Sequence, residues 1–447
     1  MEKFFGIRAS GSSIGREVIG GMTTFLAMAY IVAVNPGILA PAGLPKEATA
    51  IATCLAAAVG TLLMGLYARR PLALAPYMGE NAFFAFTVVI GLKYTWQQGL
   101  AATLMAGALF AVLTLTGLRG YLARAVPHAL RYSFVVGIGL FLAFIGLQKI
   151  GFIAHGAPGA EAPPVALGTL ADTATVLGIA GFVIMGLFVL WRIPGGILWA
   201  ILIIYAASIV LGVAPRPEAF ASVPDFGALD EVASLWPITG WHLDFSGFAE
   251  APFWLAVFLP IFLMAFFDTI GTLIGVCSRA GLLDAKGDLA EIEKPLLCDA
   301  LATMWGALAG TTTTGAYIES AAGIQAGART GLASVVTGVL FLCALFFVPA
   351  IEHIPPCAYA PALIIVGILM MESVQKIDFA DFTELVPAFT VITLIPFTFN
   401  IGVGMAAGFV VHPLLKLLTG RVRETSIGGW VFAAASLLFF VYFPYGK

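Results

Sequence analysis

Long apolar runs separated by short polar turns recur from one end of the chain to the other. A membrane-crossing helix needs about 20 mostly apolar residues. Read against that length, the pattern predicts fourteen spans. The first seven lie at about 17–38, 47–67, 72–91, 97–117, 130–150, 173–191 and 194–213. After a longer polar loop come seven more, at about 251–277, 295–309, 313–327, 330–350, 358–373, 383–399 and 401–418. A last apolar piece, about 428–444, is either a fifteenth span or an interfacial helix. Two spans are interrupted. The tenth holds Gly310–Ile324, G-T-T-T-T-G-A-Y-I-E-S-A-A-G-I, with a Thr run, three Gly and the carboxylate of Glu319. The third holds Ala75–Ala85, A-P-Y-M-G-E-N-A-F-F-A. Backbone leaves the helix at membrane depth only where protein or a watery cavity satisfies its polar groups. Gly-interrupted segments in corresponding positions of two halves mark transporter binding sites.

An odd seven-span half, repeated, sits upside down the second time. Interrupted span 3 answers interrupted span 10. Leu147-Gln148-Lys149-Ile150-Gly151-Phe152 at the end of span 5 echoes Val374-Gln375-Lys376-Ile377-Asp378-Phe379 at the end of span 12. The Ile193-Pro194-Gly195-Gly196 hinge answers Asn400-Ile401-Gly402-Val403-Gly404. The fold class expected is therefore an all-α polytopic membrane protein, a 7+7 inverted-repeat transporter, with half-helices or short strands in spans 3 and 10. With the N-terminus placed in the cytoplasm, seventeen of the 22 Lys and Arg fall on that side; Lys46, Lys93, Lys149 and Arg216 fall outside. That asymmetry obeys the positive-inside rule.

Composition agrees. Only 11% of residues are charged and mean hydropathy is +0.99, whereas soluble domains carry roughly 25% charged residues. The net charge of −3 points away from nucleic acid. The five Cys, Cys54, Cys277, Cys298, Cys343 and Cys357, show no metal-ligand spacing and read as small core residues. The N-terminus, M-E-K-F-F-G-I-R-A-S-G-S-S, lacks the apolar core of a cleavable signal, so none is expected. No H-E-x-x-H or G-x-S-x-G motif occurs, so no enzyme, metal or cofactor is expected.

Carboxylates at mid-membrane are costly and default to function. Asp268 stands in F-F-D-T-I-G-T-L-I-G, with Thr272 one turn on along the same face. Glu319 follows a Gly break, where a half-helix begins with unpaired N–H groups. Those amides can bind a carbonyl or ring nitrogen while the carboxylate accepts from an N–H. A capping carboxylate is the alternative for Glu319. Glu80 and Asn81 occupy the matching break, followed by Phe83 and Phe84. Asn81 offers donor and acceptor to a heterocycle edge, and a Phe could stack on a flat ring or simply fill core. Glu80 reads either as a cavity residue or as a structural partner for a neighbouring span. Asp299, near the start of span 9, reads as interfacial or helix-end, and His353 and His412 as structural. Thr23 and Thr24 line a cavity or pack helices closely.

These stretches resemble the nucleobase/ascorbate transporter superfamily, in its adenine/guanine/hypoxanthine permease branch. The resemblance rests on G-G-M-T-T-F-L-A-M-A-Y-I-V-A-V-N-P, M-G-E-N-A-F-F-A-F, F-F-D-T-I-G-T-L-I-G and A-Y-I-E-S-A-A-G-I-Q-A-G-A-R-T-G-L, and covers nearly the whole chain. It implies a core domain (17–117 and 251–350) and a gate domain (118–213 and 351–447, with the C-terminal helix). Around them lie a cytoplasmic N-terminus (1–16) and an outer loop (214–250). It implies proton-coupled uptake of purine bases in the inner membrane. The base would bind Asp268, Glu319 and Asn81, with main-chain groups near Phe83 and Ile318. Glu80, Thr272 and Thr24 complete the expected lining. Two carboxylates close together in a low dielectric cannot both stay ionised cheaply, so Asp268 or Glu319 is expected to carry the coupling proton. Many members have Gly-Leu-Asn where this chain has Gly79-Glu80-Asn81. Expected partners are a purine nucleobase, the lipid bilayer and, as an option, a second copy in a homodimer. The rivals are a xanthine/uracil-type permease and a sulfate-type anion transporter on the same scaffold.

Overall fold

A helix satisfies its own backbone inside lipid, which is why apolar segments of this length adopt it. In the computed structural model all residues are described except 1, 118–125, 157–164, 218, 233–241, 280–290 and 443–447. Among the described residues, eight helices are long and apolar enough to cross a membrane, and shorter apolar helices accompany them. The first half comprises α1 (Ile14–Met28), α2 (Ile31–Leu39), α3 (Lys46–Leu63), β1 (Leu74–Pro76), α4 (Met78–Ala82), α5 (Trp96–Leu115), α6 (His128–Lys149), α7 (Thr173–Leu190) and α8 (Gly196–Val210). A small hairpin, β2 (Ile153–His155) with β3 (Val165–Leu167), follows α6. The second half comprises α9 (Leu259–Arg279), α10 (Glu293–Ala309), β4 (Thr314–Ala316), α11 (Ser320–Gln325), α12 (Gly331–Ala344), α13 (Pro356–Met370), α14 (Phe382–Thr398) and α15 (Ile401–Leu418). The last apolar piece is a helix, α16 (Ile427–Tyr442), packed on α15. Of the cations used to orient the chain, Arg119, Arg124 and Lys286 lie outside the described residues.

The first span, expected as one rod, is two helices joined at Ala29–Tyr30. There the ladder tightens: Val32 N–H reaches Ala29 O (3.1 Å) and Ala33 N–H reaches Tyr30 O (3.1 Å), the closer spacing of a 3₁₀ turn. Span 3 is β1 followed by α4, which runs on through the wider π-type turns of Phe83–Gly91. Gly310 (φ 93°) closes α10 in the left-handed conformation that only Gly adopts without strain, and so releases the chain into β4.

The halves form an inverted repeat. Helix α6 packs on its counterpart α13, and their backbones cross at Gly139 and Gly367. A Cβ on Gly367 would lie 2.3 Å from Gly139 O, and one on Gly139 would lie 2.9 Å from Gly367 O. Close approach of this kind takes the place of the hydrophobic effect between helices in lipid. Helices α1, α3, α5, α10 and α12 pack largely on one another, as do α6, α7, α8, α13, α14 and α15. Glu17 ties the ends of the first set together. Fully buried, it accepts from Arg329 N–H (3.0 Å) and Thr330 N–H (3.2 Å) at the start of α12.

Candidate functional site

The two interrupted spans meet. Strands β1 and β4 pair antiparallel, with Leu74 opposite Ala316 and Pro76 opposite Thr314. Tyr77 N–H extends the ladder to Thr313 O (3.0 Å), and Tyr317 N–H extends it to Ala73 O (2.9 Å). The pairing satisfies backbone that has left the helix, as burial in lipid requires. Helix α4 leaves from one end of the strand pair and α11 from the other. Their first amides have no partner within the helix, and Met78, Gly79 and Glu80 donate to no other backbone element among the described residues.

Tyrosines directly follow both strands. The rings of Tyr77 and Tyr317 stack, with centroids 6.0 Å apart and planes 7° from parallel. Gly315 makes room for this, since a Cβ there would fall 2.4 Å from the Tyr77 ring. The Tyr317 hydroxyl donates to Pro76 O across the strand pair, and the Tyr77 hydroxyl lies 3.4 Å from Thr269 Oγ1 on α9.

The acids gather around this stack. Tyr317 lies within electrostatic reach of Glu319, Asp268 and Glu80, and Tyr77 of Asp299, Asp268 and Glu80. Glu319 Oε1 accepts from the Tyr30 hydroxyl at 2.6 Å, so the bend in the first span supplies its orienting donor. Asp268 and Glu319 keep partial access, as does Thr272, and Ile318 is 53% exposed. The acids that act on Asp268's surroundings are Glu80 and Asp299, and Tyr317 is the group within reach of both Asp268 and Glu319.

Asp299 departs from the expectation. It is fully buried rather than interfacial, and accepts from Thr269 Oγ1 (2.5 Å) and Ala316 N–H (2.8 Å). It therefore pins β4 to α9 beside Asp268. Asn81 is buried, and its amide is already engaged: it donates to Asn35 Oδ1 and accepts from Thr312 Oγ1. Asn35 passes the network on to Thr53 Oγ1 (2.7 Å) and Thr311 Oγ1 (3.0 Å). Phe83 is not a free stacking surface. Its ring is fully buried in the main core cluster, and its N–H donates to Gly79 O and Glu80 O. Phe84 is likewise core, its ring lying against Gly99 of α5. Thr24 is buried against α11, where a Cβ on Gly323 would come within 2.0 Å of its hydroxyl. Glu80, expected at the cavity, is 3% exposed, and both carboxyl oxygens lack a hydrogen-bond partner. His353 bonds Pro349 O (2.8 Å) and His412 bonds Glu384 (3.2 Å), both away from the site.

The arrangement thus joins two antiparallel breaks with acids about their junction. A family model described as a permease family matches residues 15–408. The chain belongs to the permease family. It sits within the nucleobase/ascorbate transporter superfamily and is a transporter, not an enzyme. The permease-family protein MJ0326 of Methanocaldococcus jannaschii is 44% identical over 442 residues, covering 99% of this chain and 98% of that protein. The adenine permease AdeQ of Escherichia coli is 37% identical, covering 97% of this chain and 94% of that one. The guanine/hypoxanthine permease PbuG of Bacillus subtilis is 38% identical, covering 99% and 100%. Among solved structures, the transmembrane domain of the cyanobacterial bicarbonate transporter BicA superposes with a TM-score of 0.64 at 15% identity, over 88% of this chain and 97% of that one. That likeness is one of fold.

Proposed function

We propose that this permease imports purine nucleobases across the inner membrane by proton symport, with its N-terminus in the cytoplasm. The observation that carries the reading is the pair of accessible carboxylates, Asp268 and Glu319, both within reach of Tyr317 at the junction of two broken helices. A purine is flat, neutral and edged with alternating donors and acceptors. The carboxylates accept from its N–H groups. The names of AdeQ and PbuG, an adenine and a guanine/hypoxanthine permease, support the purine class.

In this reading α1–α5 and α9–α12 form a core that carries the site, and α6–α8 and α13–α15 form a gate. Their separate packing supports the division. The core moves against the gate with base bound, and Asp268 or Glu319 takes a proton from outside. One charge crossing the potential supplies about 2.3 kcal/mol per 100 mV, enough for roughly fifty-fold accumulation. Carboxylates at the site disfavour an anion substrate of the bicarbonate or sulfate kind, because like charges repel strongly in a low dielectric.

A competition panel on purified protein tests this. Purines should displace labelled hypoxanthine or adenine, with affinity that depends on pH, and uracil and sulfate should not. Displacement by sulfate or uracil alone refutes the assignment.

A further inference from the structure

Glu80 is the one acid of the cluster that the reading above leaves without work. It is 3% exposed, so a base in the cavity does not reach it, and neither oxygen has a donor among the described residues. The Thr313 hydroxyl faces it, yet that oxygen too is buried and unpartnered. Burying a carboxyl group without hydrogen-bond donors is costly and asks for a reason. The charged groups acting on it are Asp268 from α9 and Asp299 from α10, with the Tyr77 and Tyr317 hydroxyls beside them. No cation among the described residues acts on it from α2 or α6, which also pack on α4. Three described His, Cys, Asp or Glu side chains do not converge there as metal ligands would. What fits is a proton.

The turn that carries the acid packs on the other set of helices. Gly79, the residue before Glu80, is pressed against Ile138 of α6: a Cβ on Gly79 would lie 2.5 Å from Ile138 Cγ2. We propose that Glu80 is a proton-carrying site separate from the acids that hold the base, occluded and released by the contact between Gly79 and Ile138. It rests on the symport reading above and adds one proton to each transport cycle.

The test is the proton-to-base ratio in proteoliposomes, from labelled base uptake and internal pH recorded together. Glu80→Gln should bind base within about threefold of wild type yet move one proton fewer per base. Glu80→Asp should restore the wild-type ratio. An unchanged ratio in Glu80→Gln overturns the inference while leaving symport intact. Base uptake without proton movement in the wild type removes the symport reading, and this inference with it. Failure of Glu80→Gln to fold also overturns it, because the amide reproduces the neutral acid that the inference requires.

Discussion

Tyr30 is the residue on which the orientation of Glu319 depends. Its hydroxyl sits 2.6 Å from Oε1, and a hydrogen bond to a charged group is worth about 1.5–3 kcal/mol. Tyr30→Phe should therefore weaken base binding about tenfold or more, measured by equilibrium binding, with the fold retained. An unchanged affinity would mean that Glu319 is held some other way. Asp299 serves a different purpose. It positions β4 against α9 and is itself fully buried. Asp299→Asn leaves the Thr269 hydroxyl and the Ala316 amide competing for one acceptor, and should cost about 1–3 kcal/mol of stability, read as a lowered thermal midpoint in detergent. Asp268 and Glu319 were legible as candidate site residues, because a carboxylate inside an apolar run stands out at once. Asp299 was not, because it lies close to the charged loop that ends at Lys294. Its burial comes from β4, a segment brought back on it from further along the chain. Tyr77 and Tyr317 were visible as the residues beginning both half-helices, and a buried Tyr hydroxyl asks for a partner.

At the scale of elements, the site is held by close packing between α1 and α11. A Cβ on Gly323 would meet Thr24 Oγ1 at 2.0 Å and Gly20 O at 2.3 Å. The second contact is backbone and cannot turn aside. Gly323→Ala should push α11 off α1, cost about 1–3 kcal/mol as an overpacked interface does, and abolish uptake by moving Glu319 away from Tyr30. Full uptake at normal thermal stability would show that the helices part without penalty. The inverted pairing of the two interrupted spans was legible from their Gly and polar content. The bend at Ala29–Tyr30 was not, since the residues around it remain apolar and the turn is made by tightened hydrogen bonds.

For the whole molecule, motion of one helix set against the other requires each to hold together. At one end of α14 and α15 a charged cluster does this. Lys416 bridges Glu384 (2.7 Å) and Glu424 (2.9 Å), and Arg421 bridges Asp381 (2.8 Å) and Glu424 (2.7 Å). The Thr383 hydroxyl and amide, together with Arg421, hold the Asp381 carboxyl well below the usual carboxylate range. A depressed folded value means stability that is fully present above the unfolded value of about 3.9 and is lost as pH falls through the folded one. Asp381→Asn should therefore lower the thermal midpoint equally at pH 7 and pH 5. The difference should close only in stronger acid; a gap that closes between pH 7 and pH 5 contradicts the assignment. The central claim concerns Asp268 and Glu319 as the two arms that grip a purine. The most direct measurement is equilibrium binding of labelled hypoxanthine and adenine to purified wild type, Asp268→Asn and Glu319→Gln. Each substitution should weaken binding at least tenfold while the protein stays folded; wild-type affinity in either variant would contradict the account.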